Sequence, residues 1–152
     1  MSILASLRAS ASALTAQRTR MNAISNNVAN METTRTPEGG PYRRQQVVFT
    51  PRPGGSPFLQ MVRANLGLGA PGAGASAGVQ VAEVVEDQSQ PRLVYQPDHP
   101  DANADGYVAY PNIDLVTEMV DMMSATRSYE ANLTVLNSAK NMAIKALDIL
   151  KA

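Results

Sequence analysis

All ten prolines of this 152-residue chain fall between Pro37 and Pro111, and all ten glycines between Gly39 and Gly106. The first 36 residues and the last 41 contain neither. In a helix interior Pro costs about 3 kcal/mol and Gly about 1 kcal/mol relative to Ala, so the chain reads as helix, broken middle, helix. The punctuation predicts an N-terminal helical segment over 1–36, a Gly/Pro-rich middle over 37–111 and a C-terminal helical segment over 112–152.

Periodicity supports both helices. Steps of four and three from Ile3 reach Leu7, Ser10, Leu14, Gln17, Met21, Ile24, Val28 and Met31, of which only Ser10 and Gln17 are polar. In the C-terminal segment Pro111 blocks backward extension, and Asn112 or Asp114 can cap the start. From there a heptad seam reads Leu115, Met119, Met122, Thr126, Tyr129, Leu133, Leu136, Lys140, Ala143, Leu147 and Leu150. A second apolar band runs beside it through Ile113, Val116, Val120, Met123, Ala131, Val135, Ala139, Met142, Ala146 and Ile149. Two bands exceed what one helix pair covers, which predicts other subunits as the cover. At about 1.5 Å per residue the helices would run roughly 50–60 Å, more than a globule of this size contains. The expected fold class is therefore mainly α, with a small β/loop middle and two long terminal helices packed as an elongated, coiled-coil-like hairpin.

The middle carries four short strand candidates, "RRQQVVF" (43–49), "VQVAEVV" (79–85), "RLVYQ" (92–96) and "GYVAY" (106–110). The tract "GLGAPGAGASAG" (67–78) is low-complexity and predicts a flexible loop near 64–78.

Charge is balanced overall but not along the chain. Residues 1–76 hold eight arginines against Glu32 and Glu38, whereas residues 77–152 hold five basic and eleven acidic residues. Opposite halves suit contact with each other, within a chain or between copies. In an antiparallel hairpin, Arg18, Arg20 and Arg35 would share one half with Asp114, Glu118 and Asp121. Arg43 and Arg44 are candidates for an acidic patch on another subunit. Zero net charge argues against a nucleic-acid partner. No run of some twenty apolar residues exists to enter a membrane, and the N-terminus lacks the pattern of a cleaved secretory signal.

Candidate chemistry is sparse. The chain has no cysteine and one histidine, His99, so thiol and multi-histidine chemistry are excluded. "GLGAPG" has the spacing of a dinucleotide loop, but Pro71 and a Gly/Ala tract stand where its helix should begin. "DANADG" (101–106) matches half of a calcium loop, yet Asn112 stands where the bidentate Glu belongs, which favours an Asp-Gly turn. No catalytic, metal or cofactor-binding residue is expected, and the chain does not read as an enzyme.

One segment resists the helix pattern. "SNNVAN" (25–30) places three asparagines near the end of the first helix, where short amides compete for backbone hydrogen bonds. Ile24, Val28 and Met31 keep the packed stripe, and Asn26, Asn27 and Asn30 are expected mainly on the other face. There they would set register against a neighbouring subunit or cap a fraying end.

"LTAQRTRMNAISNNVANMETTRTPEGGPYRRQQVVF" (14–49) resembles the N-terminal signature of bacterial flagellar axial proteins, and "GYVAYPNIDLVTEMVDMMSATRSYEANLTVLNSAKNMAIKALDI" (106–149) resembles their C-terminal helix signature. "TPEGGPYRRQ" and "DGYVAYPNIDLVTEMVDM" point to the short proximal-rod branch (C-type rod proteins) of that family. The Gly/Ala-rich stretch 53–78 departs from the family pattern. The resemblance implies a subunit exported through the flagellar type III apparatus without a cleaved signal. It implies polymerisation with copies of itself and other rod proteins into a helical drive shaft that crosses the periplasm, surrounds the export channel and transmits torque. Export-gate junction proteins would be further partners, and termini marginal alone would order on assembly. Another coiled-coil axial or adaptor subunit of a type III system is the alternative. The residues expected to pack helices and meet partners are Leu7, Leu14, Met21, Ile24, Asn26, Asn27, Val28, Asn30, Arg43, Arg44, Leu115, Met119, Met122, Tyr129, Leu133, Leu136, Leu147 and Leu150.

Overall fold

A computed structural model describes residues 3–52, 65–66 and 78–151. The loop expected near 64–78 and the departing stretch 53–78 lie almost wholly outside the described residues. The element order is α1 (Ile3–Ala29), β1 (Gln45–Pro51), β2 (Val79–Glu86), β3 (Arg92–Tyr95), β4 (Tyr107–Tyr110) and α2 (Leu115–Lys151). The fold is mainly helical with a small β region, as the distribution of Pro and Gly requires.

Helix α1 stops at Ala29, short of the first Pro. Its last carbonyls explain the early end. Both the backbone N–H and the side-chain amide of Asn30 donate to Asn26 O, at 3.0 and 2.9 Å, and Thr33 Oγ1 donates to Asn30 Oδ1. An asparagine that serves its own turn in this way closes the helix. Helix α2 starts where Asp114 caps it. Its carboxylate accepts the backbone N–H groups of Val116 and Thr117 and the Thr117 hydroxyl, and its carbonyl accepts Glu118 N. Of the two candidate caps it is Asp114 that serves; Asn112 instead donates its amide to Ser89 Oγ.

The strands form two separate pairs, β1 with β2 and β3 with β4. Asp87 N donates to Arg44 O at one end of the first pair and Arg52 N to Gly78 O at the other, so β1 and β2 run antiparallel. The second pair is antiparallel in the register Arg92↔Tyr110, Leu93↔Ala109, Val94↔Val108 and Tyr95↔Tyr107. The 101–106 segment is the expected turn. Asn103 Oδ1 accepts the N–H groups of Asp105 and Tyr107, and Gly106 adopts a left-handed φ of +79°. Asp101 spends its carboxylate on the Thr34 hydroxyl and, at 3.9 Å, on Arg35.

Packing divides the chain into two compact units. One comprises Met1–Arg18, Phe49–Ala82 and Arg127–Ala152. Its buried described residues are Ser10, Ala16 and Ala139. Here the start of β2 docks on α1. Ser12 Oγ donates to Ala9 O and accepts Val79 N, and a Cβ on Gly78 would clash with Ser12 Oγ. The other unit comprises Thr19–Val48 and Glu83–Thr126, with Ala23, Ile24, Val108 and Ala125 as its apolar core. Within it Met21 meets Thr126, Arg20 meets Asp121 and Asn27 meets Glu118, so the α1 and α2 segments run antiparallel there.

Candidate functional site

The most elaborate arrangement of side chains lies in the second unit, around Asn27. This residue sits in the last turns of α1 and is 1% exposed. Its amide nitrogen donates to Gln45 O at 2.9 Å and to Glu118 Oε2 at 3.0 Å. Its amide oxygen accepts Gln45 N at 2.8 Å and the Tyr42 hydroxyl at 3.2 Å. Both donors and both lone pairs are used, so the amide has one orientation. Toward Gln45 the side chain behaves as a neighbouring strand residue, taking both backbone groups at the start of β1.

Glu118, in the first turn of α2, is also 1% exposed. Its other oxygen accepts Arg44 Nε at 2.6 Å. Arg44 reaches Asp121 at 3.6 Å, and Asp121 accepts Arg20 Nη2 at 2.8 Å. The chain Arg20–Asp121–Arg44–Glu118–Asn27–Tyr42 thus ties α1, the approach to β1 and the start of α2. Burial pushes the Tyr42 phenol up from its usual pKa of 10.0, with the Glu86 and Glu118 carboxylates adding to the shift. It stays a hydrogen-bond donor to Asn27 across the neutral range. Among the described residues no group of three or more His, Asp or Glu is placed to hold a metal ion. Every polar group here is committed to a structural partner, so the arrangement holds register.

The structure separates the residues singled out from sequence. The three asparagines part company: Asn26 is exposed, Asn30 closes α1, and Asn27 is buried inside its own chain rather than standing off the packed face. The expectation for Asn27 is corrected by its partners Gln45 and Glu118, which lie 18 and 91 residues away in sequence. Arg43 and Arg44 also part. Arg44 is consumed within the chain, whereas Arg43 is exposed and donates to the neutral Gln88. On α1, Ile24 is buried and Leu7, Leu14, Met21 and Val28 are half-buried.

Helix α2 departs further from expectation. Its more buried line is Glu118, Met122, Ala125, Tyr129, Asn132, Leu136, Ala139 and Ala143. Met122, Tyr129 and Leu136 belong to the expected seam, but Leu115, Met119, Leu133 and Leu147 are exposed. Leu150 lies outside the described side chains. On the inner line the small Ala125, Ala139 and Ala143 stand among the larger Met122, Tyr129 and Leu136. Sequence reasoning placed Glu118 only in the acidic group beside Arg18, Arg20 and Arg35, and missed its burial and its partners Asn27 and Arg44. The signal for that burial was weak: an acidic residue at a heptad position, alternating with Met122 and Ala125.

Comparison with known proteins adds independent information. Residues 7–35 match the family described as flagella basal body rod protein, and residues 104–149 match the flagellar basal body rod FlgEFG protein C-terminal family. The flagellar basal-body rod protein FlgC of Borreliella burgdorferi is 46% identical, covering 99% of each chain. The chain belongs to the FlgC family of flagellar basal-body rod proteins. Other FlgC relatives agree: that of Bacillus subtilis is 49% identical over 96% of this chain and 97% of its own, and that of Escherichia coli 48% identical over 91% and 90%. Membership makes the chain a structural component of the basal-body rod rather than an enzyme. The "SNNVAN" segment lies inside the first match, and the residues around Glu118 inside the second. The buried cluster therefore joins the two family-matched ends of the chain.

Proposed function

We propose that the chain polymerises with copies of itself and other rod proteins into a helical drive shaft. The shaft crosses the periplasm, surrounds the export channel and transmits torque, and its subunits arrive by type III export without a cleaved signal. Export-gate junction proteins are the neighbours at its inner end. The two terminal helices of each subunit pack as an elongated, coiled-coil-like hairpin, and other subunits cover its remaining apolar face.

One observation carries this reading. Large apolar side chains of α2 stand exposed along its length, namely Leu115, Val116, Met119, Val120, Met123, Leu133, Val135, Met142, Ile144 and Leu147. No described side chain of α1 does the same. Such a row amounts to an interface waiting for a cover, each fully buried side chain contributing about 1.5–3 kcal/mol. The Asn27–Glu118 cluster supports it, because it holds the helix ends in fixed register while the apolar faces seek partners. Deletion of the gene in its own organism, followed by imaging of basal bodies, is the test. The expected result is loss of motility and a missing or truncated rod, both restored by the full chain; normal rods in the deletion strain would overturn the reading.

A further inference from the structure

The β3–β4 pair presents a face that nothing in the chain's own chemistry explains. Register and the two-residue period put Val94, Val108 and Tyr110 on one side of the pair and Leu93, Tyr95, Tyr107 and Ala109 on the other. Val108 is fully buried, which makes its side the inward one. On the outward side Leu93 is 62%, Tyr95 63% and Tyr107 43% exposed. The two tyrosine rings meet edge to face, with centroids 5.3 Å apart. At that same end of the pair the connecting segment carries Asp98 and Asp105, both exposed, and no Lys or Arg between 96 and 106. Neither carboxylate has an ion pair among the described residues, unlike Asp101. The segment is held by its own backbone bonds, from Gln96 N to Gly106 O, His99 N to Gln96 O, Ala102 N to His99 O and Asn103 N to Tyr107 O. A rigid patch of aromatic and acidic groups is pre-organised for one kind of occupant: a surface offering guanidinium groups and aliphatic stems.

The chain itself offers that surface elsewhere. Helix α1 contains Arg8, Arg18 and Arg20 and no acidic residue. Arg20 is spent on Asp121, but Arg8 and Arg18 are exposed and have no ion pair among the described residues. They share one face with the exposed Ala11 and Thr15, at positions 8, 11, 15 and 18, about 15 Å from end to end. Arginine packing on tyrosine already occurs within the chain, where the Arg92 guanidinium lies 6.0 Å from the centroid of Tyr110.

We propose that the Leu93–Tyr95–Tyr107 face with Asp98 and Asp105 docks the Arg8–Arg18 face of α1 from a second copy of this chain. This inference rests on the rod reading and gives it a specific lateral contact. Charge complementarity selects the occupant: an acidic patch repels anionic lipid surfaces and nucleic acid and attracts a helix with only positive charge. The two patches are different surfaces of one molecule, so the contact is heterologous. Repeated from copy to copy, it propagates along a helix rather than closing as a dimer.

The absence of cysteine makes the contact testable in the full-length chain. Arg18→Cys and Asp105→Cys variants, differently tagged, are co-expressed in a strain lacking the native gene. Isolated basal bodies are then treated with a short bismaleimide reagent. The expected product is a cross-link joining the two tagged chains, absent when either variant is present alone. Both chains present in basal bodies with no joint product would overturn this contact while leaving the rod reading intact. So would a cross-link to a different protein, or one formed only within a chain carrying both substitutions. Failure to find either chain in basal bodies would overturn the rod reading and this contact with it. In parallel, Arg8→Glu with Arg18→Glu is expected to abolish motility, and Asp98→Lys with Asp105→Lys in the same chain to restore it. Full motility of the double glutamate variant would overturn the proposal.

Discussion

Asn27 is placed where helix propensity is poor and long-range geometry is demanding. Removing its side chain leaves Gln45 N–H and C=O and the Tyr42 hydroxyl without their partner in a half-buried place. Asn27→Ala is expected to cost about 2 kcal/mol. Glu118→Ala removes the carboxylate that faces Arg44 at 2.6 Å and is expected to cost about 3 kcal/mol, the low end for a broken buried pair, since Asp121 still attends Arg44. Because the two residues share a hydrogen bond, the double variant should cost about 1 kcal/mol less than the sum. Urea midpoints of the four chains measure this cycle, and strict additivity would show that the bond contributes nothing. The asparagine run was conspicuous in the sequence as an exception to the helix pattern, but its division of labour was not. Which of three amides turns inward depends on Gln45 and Glu118, and no local pattern links position 27 to position 118.

At the scale of elements, the start of α2 was legible, whereas α1 ends at Ala29, well before the first Pro. Pro37 and Pro111 bracket the β region, and a carboxylate three residues after Pro111 caps α2 as helix-start chemistry requires. The Asp114 cap also sets a pH dependence. The hydroxyl of Thr117, then its backbone N–H, with Val116 N–H adding less, hold the Asp114 carboxyl below its ordinary pKa of 3.8. The folded value lies under the unfolded one, so the cap's contribution is complete above about pH 4 and fades as pH falls through the folded value. Asp114→Asn, which retains an acceptor but does not titrate, should flatten the acid limb of the stability profile, with helix content followed by circular dichroism between pH 2 and 6. An unchanged acid limb would place the titration elsewhere. The seam of α2 was only half legible. Hydrophobic periodicity ranks faces by apolar content, whereas the chain turns Ala125 and Ala139 inward and leaves Met119, Val120 and Leu133 outside. A sequence pattern marks an apolar stripe without saying whether it meets its own chain or another.

For the whole molecule, the distribution of apolar surface separates what folds the chain from what assembles it. Folding uses Ile24, Val108, small residues and a polar cluster, with Met122, Tyr129 and Leu136 half-buried, whereas many other large side chains of α2 remain outside. Val116 is 68% and Val120 55% exposed, in the unit that also contains Asn27 and Glu118. Substitution at exposed positions usually changes stability by no more than about 0.5 kcal/mol, whereas a charge in a subunit interface is costly to bury without a partner. Val116→Glu with Val120→Glu should therefore leave the urea midpoint of the purified chain near that of the native sequence and abolish motility in cells. Ala125→Glu is the contrasting substitution: it puts a carboxylate at a fully buried position and should unfold the chain itself. If the surface pair lowered stability as much as the core change, the exposed row would be part of the monomer's own packing. If it left motility intact, that end of α2 would face solvent in the rod. Loss of motility with stability preserved is the outcome that the division between folding and assembling surfaces requires.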